Sequence, residues 1–246
     1  MRADVTRILA QTRFETLTVL RNGEQLLLAL ILPLIILVGL GSTDVLASIG
    51  ALPAGVSRIQ VATAGVLGVA VASIAFTGQG IQTAFDRRYG VLRQLATTPL
   101  GAGGVIGGKL GAVLAVLVVQ VAVLGTTAMV LGLDTTSVSP VGTVLALLAG
   151  AAALVSWGVL MAGTLRPEAT LAVANLLWVL MASVGGLLFP RDGLWGAVAD
   201  LTPPGALGTA LRAAVLDGAI AWVSLLVLTV WTVVGALLAR RWFSFD

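Results

Sequence analysis

One run in the chain has the outline of a nucleotide site: Gly103-Gly-Val-Ile-Gly-Gly-Lys-Leu110. In a phosphate loop, backbone N–H groups cradle the phosphates, the lysine reaches the terminal ones, and a following Ser or Thr hydroxyl holds magnesium. Leu110 stands where that hydroxyl is needed, and the run opens an apolar block instead of following a strand. Nucleotide hydrolysis must then come from elsewhere. The chain has no cysteine and no histidine, which removes thiolate and imidazole metal sites, disulfides and every scheme that needs a His base. No catalytic residue, metal site or cofactor is expected in this chain. The glycines have another use. Gly103, Gly107 and Gly111 recur every four residues, as do Gly104 and Gly108, giving the smooth faces that let membrane helices approach closely; the alternative is general glycine richness, since the chain has 30.

A second chemistry-bearing stretch lies just before it, Phe85-Asp-Arg-Arg-Tyr-Gly-Val-Leu-Arg-Gln-Leu-Ala-Thr-Thr-Pro-Leu100. Phe85, Tyr89, Leu92 and Ala96 share a helix face by their spacing, and Asp86, Gly90, Arg93 and Thr97 share another. Pro99 ends the run. The spacing predicts an amphipathic helix over 86–97 with a basic, hydrogen-bonding side. Gln79, Gln82, Gln120 and Asn175 are the costly polar groups within the apolar blocks. Each needs a partner in hydrocarbon, either another helix or a substrate.

Apolar blocks must position these residues. Hydrophobic residues make up 58% of the 246 and charged ones 10%, at a mean hydropathy of +1.06; a soluble domain carries about a quarter of its residues as charges. The charges also segregate between the blocks, where a hydrophobic globule would spread them over its surface helices. Six blocks, at about 26–41, 61–81, 105–131, 141–165, 171–189 and 219–239, are expected to be membrane spans, since about 20 residues cross. The first is short and contains Pro33, so it crosses with flanking help or as a bent helix. Apart from Lys109 near the start of the third, no block carries an ionisable residue, and none does near its middle, which argues against a proton- or sodium-coupled carrier.

Residues 1–24 read as an amphipathic helix on the membrane surface. Its polar stripe is Asp4, Arg7, Gln11, Glu15, Thr18 and Asn22, with Val5, Leu9, Thr16 and Leu20 opposite and Arg2 and Arg13 placed to snorkel; the alternative is a soluble tail. The connection 190–218 is mostly apolar and holds Pro190, Pro203 and Pro204. It either re-enters the outer leaflet and packs on the spans, or lies on the surface as a helix pair. A net charge of +3 and a sequence pI near 10.5 do not point to nucleic acid, because the bases lie in short connections and form no long face. They encode orientation instead. With the N-terminus inside, Arg2, Arg7, Arg13, Arg21, Arg87, Arg88, Arg93, Lys109, Arg166, Arg240 and Arg241 fall in inner pieces, and only Arg58, Arg191 and Arg212 fall outside. Both termini are therefore expected to be cytoplasmic.

The segment from Phe85 to Leu100 resembles the loop between spans two and three of ABC-2 family permeases. An acidic-aromatic start, a Gly-Thr/Val-Leu-Arg core and a Thr-Pro-Leu end recur there. The likeness extends over the chain, through the amphipathic N-terminal helix, six spans, inner termini and the apolar Pro-containing outer loop. Among subgroups it is most similar to drug-exporter permeases of the daunorubicin-resistance type. The resemblance implies an all-α membrane protein with one permease domain over 1–246 in the plasma membrane. Such a protein has six transmembrane helices, an N-terminal interfacial helix, a cytoplasmic coupling helix at 86–97, and short re-entrant or surface helices before span six. It also implies that Asp86, Arg87, Arg88, Tyr89, Gly90, Leu92, Arg93, Leu95, Thr97 and Pro99 meet a separate ABC ATPase, which holds the ATP and magnesium. A second permease subunit completes the pathway, for a drug, lipid or glycan, with antibiotic resistance one such role. Many relatives carry a second acidic residue near Arg87 or Arg88, and its absence here bears on ATPase pairing. Glu168-Ala169 is similar to the docking loop of ABC importers, but Ala174 stands where those place a glycine, so that match fails, and the family resemblance implies export. The readings that compete are an ATP-independent carrier or channel and a non-transporting scaffold or immunity protein.

Overall fold

The computed structural model describes residues 2–53, 55–96, 101–191 and 193–243. These residues are helical, with no strand among them. The chain begins with α1 (Arg2–Arg21), α2 (Gly23–Leu26), a π-helical turn (Leu27–Ile31), α3 (Leu32–Ser42) and the short α4 (Val45–Ser48). Next come α5 (Arg58–Val71), a second π-helical stretch (Ala72–Gly78), α6 (Gln79–Arg88), α7 (Val91–Ala96) and α8 (Gly101–Val130). The last part holds α9 (Pro140–Thr164), α10 (Pro167–Ser183), α11 (Gly193–Asp200), α12 (Pro203–Leu216) and α13 (Trp222–Trp242).

Local chemistry sets the boundaries. Pro140 and Pro203 sit at first helical positions, where the missing N–H costs nothing. Ser139 Oγ accepts from Gly142 N–H at 3.2 Å, and Thr202 Oγ1 from Gly205 N–H at 3.4 Å; both are N-caps. Pro33 explains the first π turn. A proline cannot donate to the carbonyl four residues back and crowds it, so the helix widens, and Leu32 N–H bonds Leu27 O instead. The carbonyl so freed, Ala29 O, accepts a hydrogen bond from the buried Gln120 amide of α8. The polar residue expected to be costly thus satisfies the defect that a proline creates one helix away.

Among the described residues, four helices are long and apolar enough to cross a membrane: 58–88, 107–130, 140–164 and 222–242; Leu27–Ser42 and Pro167–Ser183 are apolar but shorter. The first of the four, α5 to α6, is the axis of the bundle, with 94% of its apolar window buried. Its 31 residues span about 46 Å at 1.5 Å each, against about 30 Å of hydrocarbon, so one end must emerge. Around it pack α3, α8, α9, α10 and α12, with α13 further out. The fit is close. A Cβ on Gly158 of α9 would lie 2.8 Å from Phe76 O in the π stretch, and one on Gly65 would lie 3.0 Å from Leu188 Cα.

Several boundaries differ from the sequence reading. The fifth block, expected over 171–189, ends as helix at Ser183, because Gly186 takes φ +82 and turns the chain so that Leu188 packs against Gly65. The sixth begins at Trp222, not 219, after Gly218 at φ +63. In the connection 190–218, α12 is buried along Pro204 to Leu211 and again at Ala214 and Val215, against α5 and α9. By contrast α11 exposes Leu194, Trp195 and Val198.

Candidate functional site

The helix expected over 86–97 is two helices. α6 ends at Arg88, and Gly90 adopts φ +71, a left-handed conformation in which a side chain is strained. Tyr89 N–H bonds Phe85 O and Gly90 N–H bonds Arg87 O, each at 3.0 Å, and Gln94 N–H bonds Gly90 O at 3.0 Å to start α7. The two faces predicted by continuous helical spacing therefore stop at the bend. Phe85 and Tyr89 still stack, with ring centroids 6.2 Å apart, but Tyr89 is 69% exposed while Leu92, expected beside it, is 4% exposed in a helix packed on α8.

The other expected residues divide the same way. Arg88 and Arg93 are exposed, and Leu95 is half-buried. Arg87 donates to Leu165 O at 2.7 Å, and Arg88 pairs with Glu168. These contacts fasten the end of α6 to the turn between α9 and α10. Glu168, read in the sequence against an importer loop, is thereby an anchor for the bend. Thr97 and Pro99 lie outside the described residues.

Asp86 turns inward. Its Oδ2 accepts from Lys109 Nζ at 2.6 Å, and the same ammonium lies 3.3 Å from Glu15 Oε1. Glu15 also accepts from Gln11 at 3.0 Å and from Gln82 at 2.5 Å. The Glu15 and Lys109 side chains are 4% and 7% exposed, that of Asp86 22%. Sequence reading placed Lys109 in an inner loop as an orientation charge, whereas it sits within α8, beyond the start of the helix. The polar stripe of α1 was expected to face water; its centre, Gln11 and Glu15, instead faces this cluster. A lysine inside an apolar helix was the available signal, and no local spacing rule joins it to partners 23 and 94 residues upstream.

The glycines of α8 admit α1 to this position. A Cβ on Gly107 would lie 3.4 Å from Ile8 Cγ2, one on Gly108 2.9 Å from Gln11 Cβ, and one on Gly111 2.9 Å from Thr12 Cγ2. Gly103 lies in the first turns of α8. The phosphate-loop outline is thus helix, and its lysine holds carboxylates. Of the polar residues in the blocks, Gln82 bonds Glu15 and Gln120 bonds Ala29 O and Ala70 O. Gln79 is buried with neither amide atom partnered among the described residues, and Asn175 lies on the exposed face of α10.

What this arrangement can do is mechanical. No group of three or more acidic, His or Cys side chains able to hold a metal occurs among the described residues. A long buried helix ends instead in an exposed aromatic and basic bend, braced on two sides by ion pairs. The family model described as ABC-2 type transporter matches residues 6–216. No curated protein matches the chain. Since that family match runs from α1 through the bend and the bundle axis to the end of α12, the chain belongs to the ABC-2 transporter family, as a transmembrane permease component and not an ATPase domain.

Proposed function

We propose that this chain is the permease subunit of an ATP-binding-cassette exporter of the drug-exporter type. Two such subunits, identical or related, would enclose the pathway, and separate ATPase subunits would bind ATP and magnesium and dock on the inner side. In this reading α3 and α10, though short, also cross, giving six spans in the plasma membrane with both termini cytoplasmic. The substrate class is amphiphilic: a drug, a lipid or a glycan.

The observation that carries the reading is the exposed bend at Tyr89, Gly90 and Arg93 on the end of the most buried helix. A docked ATPase that closes on ATP would push this bend, and α5–α6 would carry the displacement into the centre of the bundle, rocking it between inward- and outward-facing states. Rigid levers are needed for such transmission, and the Arg87 and Arg88 contacts to the α9–α10 turn stiffen this one.

The test uses a chain without native cysteine. Tyr89→Cys should react with an impermeant thiol reagent only from the cytoplasmic side of oriented vesicles. Arg93→Glu should fold and insert normally yet lose co-purification with the ATPase and ATP-dependent efflux. Tyr89 labelling from the outer side, or unchanged docking and efflux in Arg93→Glu, would overturn the reading. Transport that survives ATP depletion in vesicles holding the purified chain alone would favour the ATP-independent carrier.

A further inference from the structure

Resting on that reading, we infer that Lys109 is a positioning residue for coupling: its ammonium joins Asp86 to Glu15 and so fixes the bend relative to α1. The cluster collects one group from each of three elements, Glu15 from α1, Asp86 from the last turn of α6 and Lys109 from α8. Asp86 stands three residues before Tyr89.

Packing alone does not call for these charges. Burying an ion pair gains little net stability over apolar residues of the same volume, and the α1–α8 seam already has Ile8 and Thr12 against the glycines and the fully buried Val19. What charges add is geometry. Glu15 is held by Lys109, Gln11 and Gln82 together, a set of bonds that one angle between α1, α6 and α8 satisfies. An apolar seam with a glycine stripe would let the helices slide.

The outward side of α1 says what this angle is measured against. Leu9 and Phe14 are 61% and 65% exposed, and Arg13 and Arg21 beside them are exposed as well. Apolar side chains mixed with arginines suit the boundary between headgroups and acyl chains. With α1 seated in the inner leaflet, the cluster ties the bend to the bilayer plane. A push on the bend is then passed to α8 and α1 and is not absorbed by flexing at Gly90.

Two variants test this without stranding a charge. Asp86→Ala leaves Lys109 paired with Glu15, and Glu15→Gln leaves it paired with Asp86, so both should fold. Phe14→Cys and Tyr89→Cys provide exposed spin-label sites in an otherwise cysteine-free chain. In nanodiscs holding the permease alone, the label-to-label distance distribution should be narrow in the parent and broad in both variants. In the full complex with its ATPase, efflux per ATP hydrolysed should fall about fivefold or more at equal protein and equal thermal midpoint. Unchanged distances with unchanged efflux, or a loss of efflux that only tracks a lower thermal midpoint, would overturn the positioning role. If instead the parent binds no ATPase while the distances broaden as expected, the permease reading fails and the tie between α1 and the bend stands.

Discussion

Leu92→Ala should release α7 without unfolding the bundle. α7 has six residues, too few to be helical alone in water, where helices below about 12 residues are marginal. It keeps its shape because it is packed on α8, and Leu92 is the side chain that it buries, at 4% exposure. Truncating a buried leucine costs about 2–5 kcal/mol, and the lower half of that range suits a site at the edge of the structure, where neighbours can relax. A loss of about 2–3 kcal/mol lowers the docked-to-undocked ratio of α7 about 30- to 150-fold. The amides of residues 94–96, which have helical acceptors, should therefore exchange with deuterium faster by that factor, while those of α5 and α9 keep their rates and the thermal midpoint stays in place. Arg93→Glu supplies the opposite control. An exposed substitution shifts stability by no more than about 0.5 kcal/mol, so its exchange pattern should match the parent's although docking is lost. Unaltered protection of residues 94–96 in Leu92→Ala would refute the argument, since α7 would then be held by something other than its one buried leucine.

Four further substitutions probe the bundle, each read from the thermal midpoint of the solubilised protein. Gly65→Ala should destabilise by about 1–3 kcal/mol, because the new Cβ meets the Leu188 backbone, which cannot swing aside as a side chain would; Gly125→Ala, with nothing within 4 Å, should be neutral or slightly stabilising. Gln120→Leu should cost about 1–3 kcal/mol by leaving Ala29 O without its amide donor. Gln79→Leu should move the other way, gaining about 1–3 kcal/mol by removing a buried amide that is unpartnered among the described residues. A loss on Gln79→Leu would show instead that the amide is satisfied in the assembled transporter, by a second permease or a substrate.

The parts legible in the sequence were those set by local rules. Apolar blocks marked the helices, although the prolines after Ser139 and Thr202 that begin α9 and α12 were not used as boundaries. Pro33 announced a bent first helix, though not that Gln120 would answer the carbonyl it frees, which depends on two helices meeting. The break at Gly90 was missed because Phe85, Tyr89, Leu92 and Ala96 fit one helical period so well. Periodicity does not detect a single left-handed residue, and the glycine within the pattern was the signal that could have shown it. The charged cluster was missed for another reason. Each of its residues had a sufficient local explanation: Glu15 in a polar stripe, Asp86 in a coupling segment, Lys109 as an orientation charge. Only the fold shows that these three explanations compete for the same side chains.

That competition narrows what the bend can recognise. Three carboxylates near the bend, Glu15, Asp86 and Glu168, are engaged with Lys109 and Arg88 within the chain. What the bend turns outward is Tyr89 and Arg93, with Arg166 exposed on the neighbouring turn beside Glu168. With Asp86 and Glu168 spent on bracing, the proposed docking surface at the bend is aromatic and basic. An ATPase cleft that receives it should therefore offer carboxylates and an apolar wall for the ring. Reversing Arg93 alone should weaken docking, and reversing a facing carboxylate on the ATPase to lysine should restore it. If no acidic position in the cleft rescues Arg93→Glu, the arginine serves membrane orientation, and recognition rests on Tyr89 and the backbone shape set by Gly90.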